Sequence, residues 1–276
     1  MTALPAPGTG RTAAAVRLGG EPRVVRWAKG AAGVVVAAGL WELIRALSLL
    51  PHDYVPSVPT ILRAVGDNMG DALLPAMGDT LQAWGFGMLI TIAIGVVMGV
   101  ALGLSRWADA AARVVVEFLR PVPSVALIPV AVLIFGIGLK MQLLLIVFAC
   151  VWPVLFNVRY GVQSVDSLLL DTGRVCRLSR AALVRRVVLP AALPAILTGV
   201  RISSSIALVL AVSSEMVTGS PGLGKLIVDA DAAGNVELSC AGVFVTGILG
   251  LLLNVALQTA DRRLLPWSLA SRGDMA

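Results

Sequence analysis

Apolar residues in this chain neither alternate nor recur on a single helical face; they run in long blocks bounded by charges, glycines and prolines. Six blocks stand out, at about residues 31–50, 84–104, 121–139, 141–158, 197–217 and 241–260. A helix needs roughly 20 mostly apolar residues to cross about 30 Å of hydrocarbon, so the pattern predicts six transmembrane helices. The third and fourth blocks are separated only by the Gly138–Lys140 region, which predicts a tight helical hairpin. The third opens with Pro121 and Pro123 and contains Pro129. Proline inside a helix removes a hydrogen bond and bends it, so this span is predicted to be kinked or to start late.

The charges between the blocks orient them. Arg11, Arg17, Arg23, Arg26 and Lys29 precede the first block, and Arg106, Arg113 and Arg120 separate the second from the third. Arg159, Arg174, Arg177, Arg180, Arg185 and Arg186 lie between the fourth and fifth, and Arg262, Arg263 and Arg272 follow the sixth. These seventeen face only Arg63, Lys140 and Lys225 in the three alternate loops, which instead carry Asp53, Asp67, Asp71, Asp79, Asp229, Asp231 and Glu237. Excess Lys and Arg marks the cytoplasmic side, so both termini are predicted to be cytoplasmic.

Composition agrees with this picture and narrows it. Of 276 residues, 58% are hydrophobic and only 14% charged, against about 45–50% and about 25% in soluble domains. Such a chain cannot cover a water-soluble globule with polar surface, and it is far too apolar for disorder. The net charge of +6 is accounted for by the basic loops, so no nucleic-acid partner is expected. Cys150, Cys176 and Cys240 form neither a disulfide framework nor a metal-binding spacing, and His52 is the sole histidine. The expected organisation is a cytoplasmic tail over residues 1–26, a membrane domain over 27–265 with a cytoplasmic loop at 159–196, and a second tail over 266–276. The basic run before the first block also suits a signal peptide, but the block exceeds the 7–15 residues of a signal core.

Within the spans, Gly95, Gly99 and Gly103 recur every fourth residue and predict a flat groove where another helix approaches closely. Internal packing and a subunit interface both fit that spacing. The loop at 159–196 predicts two short helices, about 164–175 and 179–189, the second capped by Ser179 and stopped at Pro190. Arg185 and Arg186 would occupy its last turn, where the dipole favours cations. Val165, Leu168, Leu169 and Thr172 would share a face of the first helix, which suits a docking partner or the inner leaflet equally.

The run Asp171-Thr172-Gly173-Arg174-Val175-Cys176-Arg177-Leu178-Ser179-Arg180, continuing through Val187-Val188-Leu189-Pro190-Ala191-Ala192-Leu193-Pro194, resembles the cytoplasmic EAA loop of ABC importer permeases. Arg120-Pro121-Val122-Pro123, Leu127-Ile128-Pro129, Phe135-Gly136-Ile137-Gly138, Ser164-Val165-Asp166, Glu215-Met216 and Gly222-Leu223-Gly224 resemble the same family, closest to its sulfonate, taurine, nitrate and bicarbonate branch. The resemblance implies an all-α integral membrane protein of the type I importer architecture in a bacterial inner membrane. It further implies a homodimer served by two separate ATPases, which hold the ATP and Mg, and by an extracytoplasmic solute-binding protein. On this reading the chain is not itself an enzyme and holds no cofactor or metal. Val165, Asp166, Leu168, Leu169, Asp171, Thr172, Gly173 and Arg177 are then the residues expected to couple to the ATPase. Three features depart from the family pattern: Ser203-Ser204-Ser205 stands where members are usually more apolar, Asp171-Thr172-Gly173 replaces the usual Glu-Ala-Ala, and Arg177 stands at the loop glycine. Glycine supplies a positive φ freely; arginine must use another geometry or accept strain.

Gly219-Ser220-Pro221-Gly222-Leu223-Gly224-Lys225 imitates a phosphate-binding loop, but Leu226 replaces its hydroxyl residue and no strand leads into it. It reads better as a turn ahead of a gating segment at 226–230. Ionisable groups inside a membrane are costly and face the interior or an aqueous path. Glu215, with Ser213, Ser214 and the kink residue Pro129, is therefore assigned to the translocation pathway or gate, the alternative for Glu215 being a hydrogen-bonded buried carboxylate. Glu42 and Arg45 are spaced to pair locally, and Arg201 to reach the cytoplasmic interface. An ion-coupled carrier acting without an ATPase remains the alternative function, although Glu215 alone makes a thin relay.

Overall fold

The computed structural model describes residues 23–47 and 55–264, all of whose regular structure is helical. Expectations for residues 1–22, for the end of the first block and for the tail at 266–276 lie outside the described residues. In order the helices are α1 Arg23–Ala46, α2 Val58–Asn68, α3 Leu74–Leu104, α4 Arg106–Leu119, α5 Ile128–Phe135 and α6 Leu139–Gln163. They are followed by α7 Ser167–Val175, α8 Arg180–Leu183, α9 Leu189–Thr218, α10 Leu223–Ala232 and α11 Val236–Leu264. Because α1 begins at Arg23, the boundary expected at residue 26 falls inside a helix.

Among the described residues four helices are long and apolar enough to cross a membrane, and a bent pair raises that to five, against the six predicted. The four lie in Val58–Leu104, Leu139–Gln163, Arg180–Thr218 and Val236–Leu264; α1, which carries Lys29 and Glu42, is not one of them. The third expected span is the broken one. A 3-10 turn at Ser124–Leu127 leads into the eight residues of α5, and this unit makes an 80° bend with α4. Gly136 and Gly138, both at positive φ, then close the predicted hairpin onto α6.

One proline does less than expected. Pro190 was predicted to stop the second loop helix, yet the helix runs unbroken from Arg180 to Thr218. A π-turn over Val184–Val188 precedes it, with the Leu189 amide donating to the Val184 carbonyl. Widening the helix by one residue per turn accommodates the ring and its missing donor, which would otherwise break an α-helical bond. The same device, a π-turn at Met69–Leu73, precedes Pro75 and joins α2 to α3. Arg185 and Arg186 therefore sit mid-helix rather than at a carboxyl-terminal end, and no dipole argument applies to them.

The core is a three-helix slab in which α6 packs between α3 and α9. Gly95, Gly99 and Gly103 face α6 so closely that a Cβ at each would lie 2.6–2.7 Å from Val154, Val158 or Val162. Polar atoms tie the slab together. Ser203 donates to the Cys150 carbonyl at 2.8 Å while the Cys150 thiol donates to the Ser203 carbonyl at 3.3 Å. The Trp84 indole donates to the Ser204 carbonyl. With the bilayer as solvent, small residues and such interhelical bonds hold helices together where burial of apolar surface cannot. Outside the slab, Glu42 pairs with Arg45 and accepts from the Val58 amide at 2.7 Å, anchoring α1 to the start of α2.

Candidate gate and coupling elements

Glu215 lies in the last turn of α9 and is fully buried. Its Oε2 accepts from the Thr80 hydroxyl at 3.0 Å and from the Gly224 amide at 2.9 Å, and its Oε1 accepts from the Gln142 amide group at 3.5 Å. Thr80 in turn accepts from the Leu223 amide at 2.9 Å. One carboxylate thus joins α3, α6 and α9 to the first turn of α10. Gly219 ends α9 in the left-handed conformation, and the chain doubles back at Gly222, whose φ of 148° an L side chain rarely adopts. A Cβ on Gly222 would overlap the Glu215 carboxyl group, and one on Gly224 would overlap the Val212 carbonyl. The Leu223 and Gly224 amides, those a phosphate would need at this helix terminus, are already donated to Thr80 and Glu215.

The other predicted pathway residues are not gathered here. Ser214 is buried and donates to the Ala211 carbonyl within its own helix. Ser213 faces the other way, into a groove of about 750 Å³ between α9 and α11 shared with Arg201, Ser205, Thr246 and Asn254. Pro129 is exposed in the first turn of α5, apart from both. Arg201 pairs with Asp261 near the arginine-rich end of α11. Sequence reasoning missed Thr80 and Gln142; each is a polar residue in an apolar helix, a signal that a partner exists without saying which.

The loop between α6 and α9 carries the predicted coupling residues. Asp166 caps α7, its Oδ1 accepting from the Leu168 amide at 2.9 Å. Asp171 pairs with Arg174, and the Thr172 hydroxyl donates to the Leu168 carbonyl. Leu168 and Leu169 project outward, Leu168 at 70% exposure, and Val175, which the sequence reading left out, is more exposed still at 83%. Val165 does not join this face; it packs inward with Leu170 against the slab. The helix ends in a Schellman turn, with the Leu178 amide on the Gly173 carbonyl at 3.1 Å and the Arg177 amide on the Arg174 carbonyl at 2.9 Å. That turn needs a left-handed residue, and Arg177 supplies it at φ 53°, alone among the described non-glycine residues. Gly173 is buried where a Cβ would overlap the Leu183 side chain, which seats α7 on α8. Ser179 caps α8 as expected, accepting from the Ala182 amide.

Residues 91–268 match the model of the binding-protein-dependent transport system inner membrane component family. The chain is 30% identical to the taurine transport system permease of Escherichia coli (strain K12), over 85% of this chain and 87% of that one. It is 28% identical to a permease named for aliphatic sulfonates transport in Bacillus subtilis (strain 168), over 87% and 88%. A nitrate import permease of Leptolyngbya laminosa is 29% identical over 84% and 85%. Among solved structures, the MetNI methionine ABC transporter in an inward-facing conformation superposes with a TM-score of 0.56 at 21% identity. That match covers 76% of this chain and 99% of that one, and establishes likeness of fold. The family match and these relatives agree with the motifs of the loop: this chain belongs to the inner-membrane permease components of binding-protein-dependent transport systems, the membrane subunits of ABC transporters.

Proposed function

We propose that this chain forms the translocation pathway of an ATP-driven importer for a small anionic or zwitterionic solute. The relatives named for sulfonate, taurine and nitrate transport support that solute class. In this reading the arginine-rich loops and both termini are cytoplasmic, six spans cross the membrane, and two copies pair with two ATPases and an extracytoplasmic binding protein.

The observation that carries the reading is a mechanical connection. The outward face of α7, with Leu168, Leu169 and Val175, is seated through Gly173 on α8, and α8 continues without a break into the helix whose last turn carries Glu215. That helix has 39 residues, about 58 Å at 1.5 Å per residue. A displacement of α7 by ATPase closure is therefore passed to one continuous helical rod whose far end carries Glu215. Alternating access follows when the two ends of the rod respond together.

The test is uptake in proteoliposomes holding the permease with its co-purified ATPase and binding protein. Leu168→Glu with Leu169→Glu removes the apolar contact and is expected to lower ATP-driven uptake at least about tenfold, the effect of losing about 1.4 kcal/mol of docking energy. Membrane insertion should be unchanged. Undiminished uptake would remove α7 from the coupling role. Uptake that persists without ATP and collapses with an ionophore would transfer the function to an ion-coupled carrier.

A further inference from the structure

We infer that α4 is a membrane-surface helix whose inner flank forms a binding site for the phosphate headgroup of an anionic phospholipid. Trp107, Val114, Val115 and Phe118 fall on one face of this 14-residue helix and turn away from the protein, Trp107 at 88% and Phe118 at 75% exposure. Arg106, Arg113 and Arg120 recur every seventh residue along one flank. Apolar face, aromatic residues and a basic flank together describe a helix lying in an interface. The 80° bend into the following segment suits it, since a helix lying along the membrane surface must turn sharply to rise into it.

Behind the helix is a cavity of about 320 Å³ against the last turns of α6, lined by Asp109, Arg113, Glu117, Arg120, Arg159 and Tyr160. Its charges are unequally committed. Arg159 is bound by Asp109 at two points, 2.6 and 2.8 Å, and both side chains are largely buried. Arg120 lies 4.9 Å from the centre of the Phe156 ring. Among the described residues neither Arg113 nor Arg120 makes an ion pair, so two guanidinium groups face the cavity against the single carboxylate of Glu117. A phosphodiester is the ligand this arrangement takes: guanidinium pairs match its oxygens, and basic pockets of this kind between membrane helices hold anionic headgroups. The acyl chains then lie along the Trp107 and Phe118 face. The orientation proposed above decides only which leaflet supplies the lipid; the binding can be measured in detergent whatever that orientation is.

The experiment is native mass spectrometry of the full-length chain in detergent, titrated with phosphatidylglycerol or phosphatidylcholine. Phosphatidylglycerol is expected to be retained in preference. Arg113→Gln and Arg120→Gln should each weaken its retention about fivefold, and about 25-fold together, the effect of roughly 1 kcal/mol per basic residue at an anionic surface. Phosphatidylcholine, whose choline cation offsets its phosphodiester, should lose far less. Glu117→Gln should move the result the opposite way, which separates a headgroup site from general damage to the fold. Equal retention of the two lipids, or phosphatidylglycerol retention indifferent to the arginines, overturns the proposal. Displacement of the lipid by millimolar inorganic phosphate would reassign the cavity to a free anion. Cross-linking of Phe118→Cys to a second copy would reassign the apolar face to a subunit contact.

Discussion

Truncating Glu215 to alanine removes the carboxylate that ties the first turn of α10 to α3, α6 and α9. The Gly224 amide loses its partner in a fully buried site, which costs about 1–3 kcal/mol, and the Thr80 hydroxyl must find another acceptor. The void left by a side chain of this size adds a cavity term, bringing the expected loss to about 3–5 kcal/mol. Glu215→Gln retains an acceptor oxygen for Thr80 and Gly224, and with the Gln142 amide turned over to accept from the new NH2 it is expected to lose about 1 kcal/mol or less. Amide hydrogen exchange at Leu223 and Gly224 reads this locally. A loss of about 3 kcal/mol in the opening free energy accelerates their exchange on the order of 100-fold, while amides in the middle of α6 should be unaffected. Thr80→Ala strands the Leu223 amide and should act on the same turn. The Thr80→Ala and Glu215→Ala effects should then be non-additive by about 1 kcal/mol or more, because they share partners. Exchange in Glu215→Ala within roughly threefold of the parent, about 0.6 kcal/mol, would show that the carboxylate does not hold the turn. Purely additive effects would show that Thr80 and Glu215 act separately.

Three further outcomes are expected. Arg177→Gly should stabilise the α7–α8 turn by about 1 kcal/mol, since glycine takes the left-handed position without a Cβ clash; unfolding in a detergent–denaturant titration measures it, and a loss of stability would mean the arginine side chain outweighs its backbone strain. Gly99→Ala places a Cβ 2.6 Å from Val158 and 2.8 Å from the Leu155 carbonyl. It should lose about 1–3 kcal/mol by overpacking in the same titration, whereas Gly78→Ala, with open space around it, should lose none. Gly173→Leu should dislodge α7 from Leu183 and lower ATP-driven uptake while leaving the exchange protection of Leu223 and Gly224 intact, because the two ends of the long helix are held by separate contacts; lost protection there would contradict that separation.

The four apolar blocks that lie in α3, α6, α9 and α11, the hairpin before α6 and the Ser179 cap could all be read directly from the residues. Each depends on local composition: about 20 consecutive apolar residues have one low-energy arrangement in a bilayer, and a serine ahead of a helix has a nearby amide to satisfy. Arg177 stands out only through the family resemblance, which places a glycine there and leaves two backbone geometries open; the Schellman turn of the folded chain selects the left-handed one. Pro190 is misleading because a proline's cost depends on the helix around it, and a π-turn removes the clash without ending the rod. Nor could local pattern divide the apolar residues of the coupling helix. Val165 and Leu170 turn inward and Val175 outward because the slab lies on one side, and nothing in the spacing says which side that is. Thr80, Gln142 and Glu215 lie up to 135 residues apart. A polar residue in a membrane helix announces that it needs a partner, and only the packing of α3, α6 and α9 chooses which partner it meets.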